Sequence, residues 1–240
     1  MDWVAWIMLG LFLGILLVTG IFWALARREV WEMRRRTPRM AVEPLPELNL
    51  PGQWLAIRSG NVAAVQQALC LANAQRCSWA EGFTNLEGQR LFIAPPVQGW
   101  TLVVGPALPV PEDDIDRCFH FITRLSQQLG HVQYFSRNRA GGHHAWARAH
   151  TGRIERAYAW AGETLWNQGA LSSEEKTLGM TCWPYGQTVV ELDHRELDRL
   201  TENTEKVPRL AAHWSLDPAS LAIKLPPAME TGISGETAAT

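Results

Sequence analysis

The feature that most constrains this chain of 240 residues is an uncharged stretch near its start. From Trp3 to Ala26 the sequence reads WVAWIMLGLFLGILLVTGIFWALA. As a helix rising about 1.5 Å per residue, it reaches about 36 Å, whereas the hydrocarbon core of a bilayer is about 30 Å thick. Every backbone amide inside such a helix is paired within it. The sequence therefore predicts one transmembrane helix.

The residues around this stretch predict how it lies in the membrane. Trp3, Trp6 and Trp23 stand near its ends, where indole rings favour the headgroup region. No Lys or Arg precedes the stretch, and positively charged flanks stay in the cytoplasm. We therefore expect a bacterial inner-membrane protein with its N-terminus outside and the rest cytoplasmic. The basic residues that follow the stretch also suit contact with anionic lipid. They are Arg27, Arg28, Arg34, Arg35, Arg36 and Arg39.

The stretch has two alternative interpretations, a cleaved signal peptide and a buried core helix. A core helix is disfavoured because no polar residue marks one face of the stretch. A cleaved signal peptide needs a basic start and an apolar run of about 7–15 residues. Here Asp2 precedes a longer run, although Ala24-Leu25-Ala26 resembles a cleavage site. Gly10 and Gly14 form one GxxxG spacing, which permits a helix-mediated homodimer.

Composition narrows the classes of function. The formal net charge is −2, and the dense basic run lies beside the membrane stretch. A nucleic-acid-binding domain normally carries a basic face, so no nucleic-acid partner is predicted. Four cysteines, Cys70, Cys77, Cys118 and Cys182, form no CxxC pair, which argues against zinc-ribbon and thioredoxin sites. In a cytoplasmic domain we expect them to be reduced and buried. If the topology is reversed, a disulfide between two of these cysteines becomes possible.

The chain divides into four parts by composition. Residues 1–36 form the anchor with its basic juxtamembrane segment. Residues 37–53 are a proline-rich linker, expected to be extended. Residues 54–225 form the cytoplasmic domain. Residues 226–240 lose apolar periodicity and are predicted to be a disordered tail.

The domain shows runs of strand patterns separated by helix patterns. Gly99 to Gly105, GWTLVVG, is apolar on both faces and is predicted to be a central strand. Because strands come in runs without parallel βαβ alternation, the expected class is α+β, a mostly antiparallel sheet with helices packed on one face. Further strands are expected at 54–57, 77–83, 91–93 and three times within 131–160. Helices are expected at 61–75, 112–129, from 172, at 193–200 and at 202–214.

Histidines are the first candidates for chemistry. His144 and His150 lie on the same side of one predicted strand but roughly 20 Å apart, too far to share a metal ion. His143 points to the other face. A metal site would need ligands from elsewhere in the chain, so no metal or cofactor is predicted. Those ligands would be His120, His131 or His194.

No catalytic residue is predicted. The charged run from Asp193 to Glu196 is interpreted as a solvated helix face, since acid–base catalysis needs a positioned pair. Ser126, Ser136 and Ser172 do not stand in a G-x-S-x-G elbow. The chain also has no glycine-rich phosphate-binding motif.

Four segments between residues 54 and 221 form a pattern seen in other proteins. They are GWTLVVG at 99–105, VQYFSRNR at 132–139, HAWARAHTGRIERAYAWAGE at 144–163 and LAAHWSLDPASL at 210–221. Together they resemble a family of bacterial proteins usually described as hypothetical, and they are loosely similar to immunity-type domains. This resemblance implies a binding module rather than an enzyme and transfers no catalytic residue.

The region 146–185 is rich in aromatic residues interleaved with arginines. This mixture is typical of protein interfaces, although strand alternation favours a core position for most of the rings. We therefore predict a single-pass membrane-anchored, non-enzymatic protein that binds a protein partner in an immunity-like or scaffold role. The alternatives are an enzyme with a cleft lined from residues 120–196 and a lipid or envelope accessory acting through the anchor. The predicted partner surface comprises Arg148, Arg153, Arg156, Tyr158 and Trp160.

Overall fold

A computed structural model of the chain describes residues 52–84, 86–216 and 231–237. The predicted transmembrane helix, its flanking arginines and most of the linker lie outside these residues. Within the described ranges, no helix is both long and apolar enough to cross a bilayer.

Nine strands form one sheet in the order β2-β9-β3-β4-β1-β5-β6-β7-β8. All neighbouring strands run antiparallel. The α+β class with an antiparallel sheet is therefore confirmed. The strands are β1 Gln53–Ile57, β2 Leu71–Ser78, β3 Arg90–Ile93, β4 Thr101–Val104, β5 His131–Asn138, β6 His143–His150, β7 Arg153–Trp160, β8 Thr164–Gln168 and β9 Thr231–Thr237.

Most of the described helices begin at a side-chain cap. Asn61, Asp114, Ser172 and Asp193 each accept a hydrogen bond from the backbone N–H three residues later, which satisfies a donor that the helix leaves free. The helices are α1 Val62–Ala68, α2 Trp79–Thr84, α3 Ile115–Leu129, α4 Ser173–Thr177 and α5 His194–Trp214.

Several predicted elements are confirmed. Strand β4 lies inside the sheet between β3 and β1, and all four of its residues are buried, as its apolar sequence indicates. Helix α3 ends at Gly130, whose φ of 85° suits glycine. Strands β5, β6 and β7 form the expected meander.

The helix predicted over 61–75 and the extended segment predicted over 77–83 are both wrong in extent. Helix α1 ends at Ala68 and β2 begins at Leu71, after Cys70 turns the chain with a φ of 53°. Helix α2 begins after Ser78, because Ser78 and Glu81 cap each other's backbone N–H groups at 2.8 and 3.2 Å.

The two helices predicted over 193–200 and 202–214 are one helix, α5. Its buried residues recur every three or four positions, so the stripe that packs on the sheet is unbroken across Thr201. Pro208 lies inside this helix rather than near its start.

Residues 231–237, predicted as part of a disordered tail, form strand β9 between β2 and β3. Gly232 fits there because a Cβ at this position would overlap the ring of Phe92. The strand is rich in Gly, Ser and Thr, and its neighbours supply the apolar partners. Its sequence therefore carries no apolar periodicity.

Helices pack on both faces of the sheet, so the prediction of one covered face is wrong. The aromatic face, which includes Trp54, Phe92 and Trp146, is covered by α2, α4 and α5. The aliphatic face, which includes Leu55 and Ile93, is covered by α1 and α3. The reason is that strands such as β1 and β4 are apolar on both sides.

Candidate functional site

The predicted partner surface lies on the meander formed by β5, β6 and β7. Residues directly opposite each other on paired strands point to the same face. On the aromatic face Trp146 is opposite Tyr158, and Arg148 is opposite Arg156. Helices α4 and α5 cover only part of this face, so it divides into a buried centre and an outer end.

A buried ion pair occupies the centre. Arg156 is 1% exposed and Glu175 of α4 is 0% exposed. The Arg156 Nε donates to both carboxylate oxygens, at 2.9 and 3.1 Å, and the Trp146 indole N–H donates to one of them at 2.7 Å. Two charges withdrawn from water are tolerated only when each is closely matched.

The rest of the guanidinium is also saturated. Its Nη1 donates to the Ala157 carbonyl and to the Asn167 side-chain oxygen, both at 2.9 Å, and its Nη2 lies 3.1 Å from the Cys182 sulfur. Glu175 additionally accepts from the Ser172 backbone N–H at 2.7 Å. The network therefore ties the start of α4 to β7 and β8. Burial raises the pKa of the Cys182 thiol to about 12, which keeps it protonated and a poor nucleophile.

Three residues of the predicted partner surface are core residues. Arg156 lies in the ion pair. Tyr158 accepts from the Trp183 backbone N–H at 3.2 Å, and the Trp160 ring packs 5.0 Å from that of Trp183. The prediction that Arg156, Tyr158 and Trp160 face a partner is wrong, because α4 and the chain after it fold over β7. Arg153 remains exposed and Arg148 is partly exposed.

His144 sits in the same buried centre and is 2% exposed. The Thr204 hydroxyl donates to the Leu200 carbonyl, so it accepts from the imidazole Nδ1–H at 3.0 Å. The Nε2 then accepts from the Asn203 amide at 3.5 Å. Burial lowers the pKa of His144 to about 3. The ring is therefore a neutral, fixed group of the core.

The alternative of an enzyme with a cleft lined from residues 120–196 would require ionisable side chains of this region, such as His144, Glu163 and His194, to lie in mutual contact, and the structure separates these three. Glu163 is exposed in the β7–β8 turn and His194 is exposed at the start of α5, whereas His144 is buried. Asp193 and Glu196 form a capping box. Ser126 accepts from the Gly152 backbone N–H. Within the described ranges no three His, Cys, Asp or Glu side chains are grouped so as to hold a metal ion.

The cysteines follow the prediction in part. All four are free. Cys118 is buried, and burial raises the pKa of its thiol to about 12. Cys70 is exposed because it stands in the turn between α1 and β2, so its predicted burial is wrong.

The outer end of the aromatic face is accessible. We call it the basic end and define it by Arg58, Trp100, His131, Arg148, His150 and Arg153. His131 and His150 are opposite each other on β5 and β6, with ring centroids 5.9 Å apart. Trp100 contacts His131 edge to face at 5.1 Å. Arg153 is opposite His150 across the β6–β7 turn, which places it on the same face.

A second accessible feature lies beside β8, the edge strand next to β7. Tyr185, Val189 and Val190, which we call the Tyr–Val patch, are large apolar residues that are 61%, 42% and 84% exposed. The Tyr185 hydroxyl accepts from the Asn167 backbone N–H at 2.7 Å. The Val189 backbone N–H donates to the Gly162 carbonyl at 2.7 Å. The patch is therefore held to the sheet in a defined conformation.

Comparison of the chain with protein-family models, with curated proteins and with solved structures finds no match. The resemblance to a hypothetical bacterial family and to immunity-type domains therefore stays a prediction.

The sequence analysis missed Glu175 as the partner of Arg156 and missed the Tyr–Val patch. Ser172 and Glu175 carry the S-x-x-E signature of a capping box, which indicates a helix start. That signature does not indicate that the carboxylate turns inward. The Val189-Val190 pair has no sequence signal that distinguishes an exposed apolar pair from a buried one.

Proposed function

We propose that this chain is a single-pass, membrane-anchored, non-enzymatic protein of the bacterial inner membrane, whose cytoplasmic domain binds a protein partner. An immunity-like or scaffold role fits this description. The uncharged stretch from Trp3 to Ala26 and the arginines after it support the anchor and its orientation. A helix-mediated homodimer through Gly10 and Gly14 is compatible with this role.

The observation that carries the binding function is the Tyr–Val patch. Single exposed apolar residues are common, but an aromatic ring and two adjacent valines on one ordered segment are typical of a contact surface. The Asn167 backbone N–H of β8 donates to the Tyr185 hydroxyl, and the Val189 backbone N–H donates to the Gly162 carbonyl in the β7–β8 turn. These two bonds fix the segment before binding. A preordered surface loses less conformational entropy when a partner docks.

The buried polar groups support a structural rather than a catalytic role for the centre of the aromatic face. Arg156 and Glu175 satisfy each other, and His144 is bonded on both ring nitrogens. Groups that are fully paired inside a core stabilise the fold without presenting a free acid, base or nucleophile.

Affinity purification of the full-length protein in detergent, with mass spectrometry of the proteins retained, tests the binding function. We expect the wild type to retain a stoichiometric partner and Val190→Asp to lose it, because a carboxylate at the centre of an apolar contact is not paired. Ala74→Asp places the same charge at an exposed position on β2 and should retain the partner.

Two results would contradict the proposal. Retention of the partner by Val190→Asp would remove the Tyr–Val patch as the contact surface. The absence of any stoichiometric partner in the wild type would remove the binding function itself. Near-UV circular dichroism of both variants establishes that the fold is unchanged.

The orientation can be tested with the exposed thiol of Cys70. A membrane-impermeant maleimide should label this thiol in inverted membrane vesicles but not in intact spheroplasts, because the domain is expected to be cytoplasmic. Cys70→Ser controls for the half-buried thiols. Labelling of Cys70 in intact spheroplasts would reverse the topology.

A further inference from the structure

We infer that the basic end of the aromatic face binds an acidic segment of a protein partner. This inference rests on the proposed binding function and gives the chemistry of one part of the partner. It concerns a surface separate from the Tyr–Val patch. The patch lies at the β7–β8 turn, whereas the basic end lies at the opposite ends of the same strands, at the β6–β7 turn.

The basic end is built from several elements, so its charges are brought together by the fold and are not a run in the sequence. Arg58 follows β1 and its backbone N–H donates to the His131 carbonyl at 3.0 Å. Arg148 is on β6, and Arg153 begins β7. Arg58, Arg148 and His150 all lie close enough to His131 to lower its pKa, an effect that adds to the larger one of burial.

The central arginine of the basic end, Arg148, is held in position by its neighbours. The Arg148 guanidinium lies over the Trp214 ring, 5.0 Å from its centroid, and its Nε is 3.0 Å from a Glu155 carboxylate oxygen. A guanidinium that already contacts an indole ring and a carboxylate has given up part of its conformational freedom, so less is lost when a partner binds. Arginine beside tryptophan is also the combination that dominates many protein interfaces.

The charge of the basic end indicates which kind of ligand it binds. The basic end has three arginines, and Glu155 is the acidic group that acts on His131. Three arginines at one end of a sheet face favour carboxylates on the partner through electrostatic complementarity. The chain as a whole carries a formal net charge of −2, so this cationic surface is local.

A polypeptide suits this surface better than a nucleic acid or a bilayer. Nucleic-acid binding uses a basic stripe that follows a phosphate backbone, whereas these charges are confined to one end of the sheet. The phosphates of an anionic bilayer surface would lie against the Glu155 carboxylate and be repelled by it. A peptide segment can place carboxylates at the arginines and a backbone N–H at Glu155, and its apolar side chains can contact Trp100.

Fluorescence-anisotropy titration of the full-length protein in detergent tests the inference. The probe is a short fluorescein-labelled peptide of alternating Glu and Ala. We expect binding that weakens as salt is raised, and Arg148→Gln with Arg153→Gln should weaken it by about tenfold. Arg117→Gln with Arg124→Gln removes the same charge from the exposed side of α3 and should leave it unchanged. Glu155→Gln should strengthen it.

Other probes separate the remaining occupants. A Gln-Ala peptide should not bind. Inorganic phosphate, glycerophosphoserine as a soluble lipid headgroup, or a short single-stranded oligonucleotide should not displace the Glu-Ala peptide at equal charge concentration. Equal affinity of the wild type and the Arg148/Arg153 double variant for the acidic peptide would overturn the inference. Displacement by glycerophosphoserine or the oligonucleotide would also overturn it, in favour of that ligand.

The affinity purification distinguishes this inference from the proposed function. In one outcome, the Arg148→Gln, Arg153→Gln double variant retains the partner while Val190→Asp loses it. That result would overturn the inference about the basic end and leave the proposed binding function standing. Specific binding of the acidic peptide with no partner retained by any variant would overturn the binding function at the Tyr–Val patch while the basic end stands.

Discussion

The two faces of strands β6 and β7 carry side chains of very different size and polarity. Toward α3 the strands present a row of alanines, and toward α4 and α5 they present large aromatic and charged side chains. The alanine row is Ala145, Ala147, Ala149, Ala157 and Ala159. The opposite row includes His144, Trp146, Arg156, Tyr158 and Trp160.

The same pair of strands therefore packs against a long apolar helix on one side and a short polar helix on the other. Small side chains let α3 approach closely, and its Ile122 and Leu125 supply the apolar area. This contact depends on shape. Helix α4 has only five residues and buries little apolar surface, so it depends on Glu175 reaching Arg156 and Trp146. Side-chain volume determines how α3 packs on the aliphatic face, and directed hydrogen bonds determine how α4 packs on the aromatic face.

Glu175→Ala should break this distinction most strongly. Removing one partner of a buried ion pair leaves an unpaired charge and costs about 3–5 kcal/mol of unfolding free energy. Chemical denaturation followed by tryptophan fluorescence measures it. Glu174→Ala, one residue earlier and only partly buried, is the matched control. A loss for Glu175→Ala no larger than that of the control would mean that the ion pair does not hold α4.

A double replacement tests whether the aromatic face needs the two charges themselves or only a filled volume. Arg156→Met with Glu175→Leu removes both charges together and should recover most of the stability lost by Glu175→Ala, since well-packed apolar groups can replace a buried pair. Failure to recover would indicate that the bonds to Asn167 and the backbone carbonyls carry the contact instead.

Ala147→Leu tests the opposite face. Adding a large side chain under α3 should cost about 1–3 kcal/mol through overpacking. Ala212→Leu, at an exposed position of α5, should change stability by about 0.5 kcal/mol or less. Thermal and denaturant unfolding measure both. No loss for Ala147→Leu would show that this face does not depend on shape.

The buried His144 should make the free energy of unfolding depend on pH. The folded ring stays neutral down to about pH 3, whereas the unfolded ring binds a proton below its ordinary pKa of 6.5. The unfolded state therefore binds more protons between these values, and stability falls as pH decreases from 6.5 toward 3. The fall from this group is about 2 kcal/mol between pH 6.5 and 5.

His144→Gln should remove that part of the pH dependence, and His194→Gln, at an exposed position, should not. Denaturation midpoints at neutral pH and at pH 5 give the difference. The same slope in the wild type and His144→Gln would contradict the assignment of a neutral buried ring.

Ser172→Ala should have the smallest effect. It removes the hydroxyl that accepts the Glu175 backbone N–H at 3.2 Å, at a cost of about 1 kcal/mol. Denaturation of the single variant and of its combination with Glu175→Ala should show a non-additive loss, because both changes act on one helix start. Simple additivity would mean that the cap and the ion pair are independent.

The sequence could predict what local pattern determines. GWTLVVG, the apolar stripe of α3 and the alternation of the meander were all sufficient to assign β4, α3 and β5–β7. Alternation in HAWARAH also separates two rows of side chains correctly. It does not tell which row is covered, and a row of Arg and His next to a row of Ala resembles a solvent face. The structure covers both rows, so Arg156 and Tyr158 were misplaced.

Non-local partners explain the other errors. Strand β9 has little apolar character and exists because β2 and β3 flank it. Glu175 turns inward because Arg156, distant in the sequence, is fixed on β7. The basic end combines residues after β1, before β4 and along β5 to β7. Its geometry depends on strand order, which single-sequence patterns do not specify.

The position of β9 also has a consequence for the order in which the protein is made. Among the described strands, β2 is hydrogen-bonded only to β9, which leaves the ribosome after all the others. Until then β2 and α2 have no completed sheet to join, and β3 is attached to β4 through just two residue pairs. A nascent chain therefore carries an open sheet edge throughout the synthesis of β3 to α5, and this interval is when proteases and chaperones have most access to it.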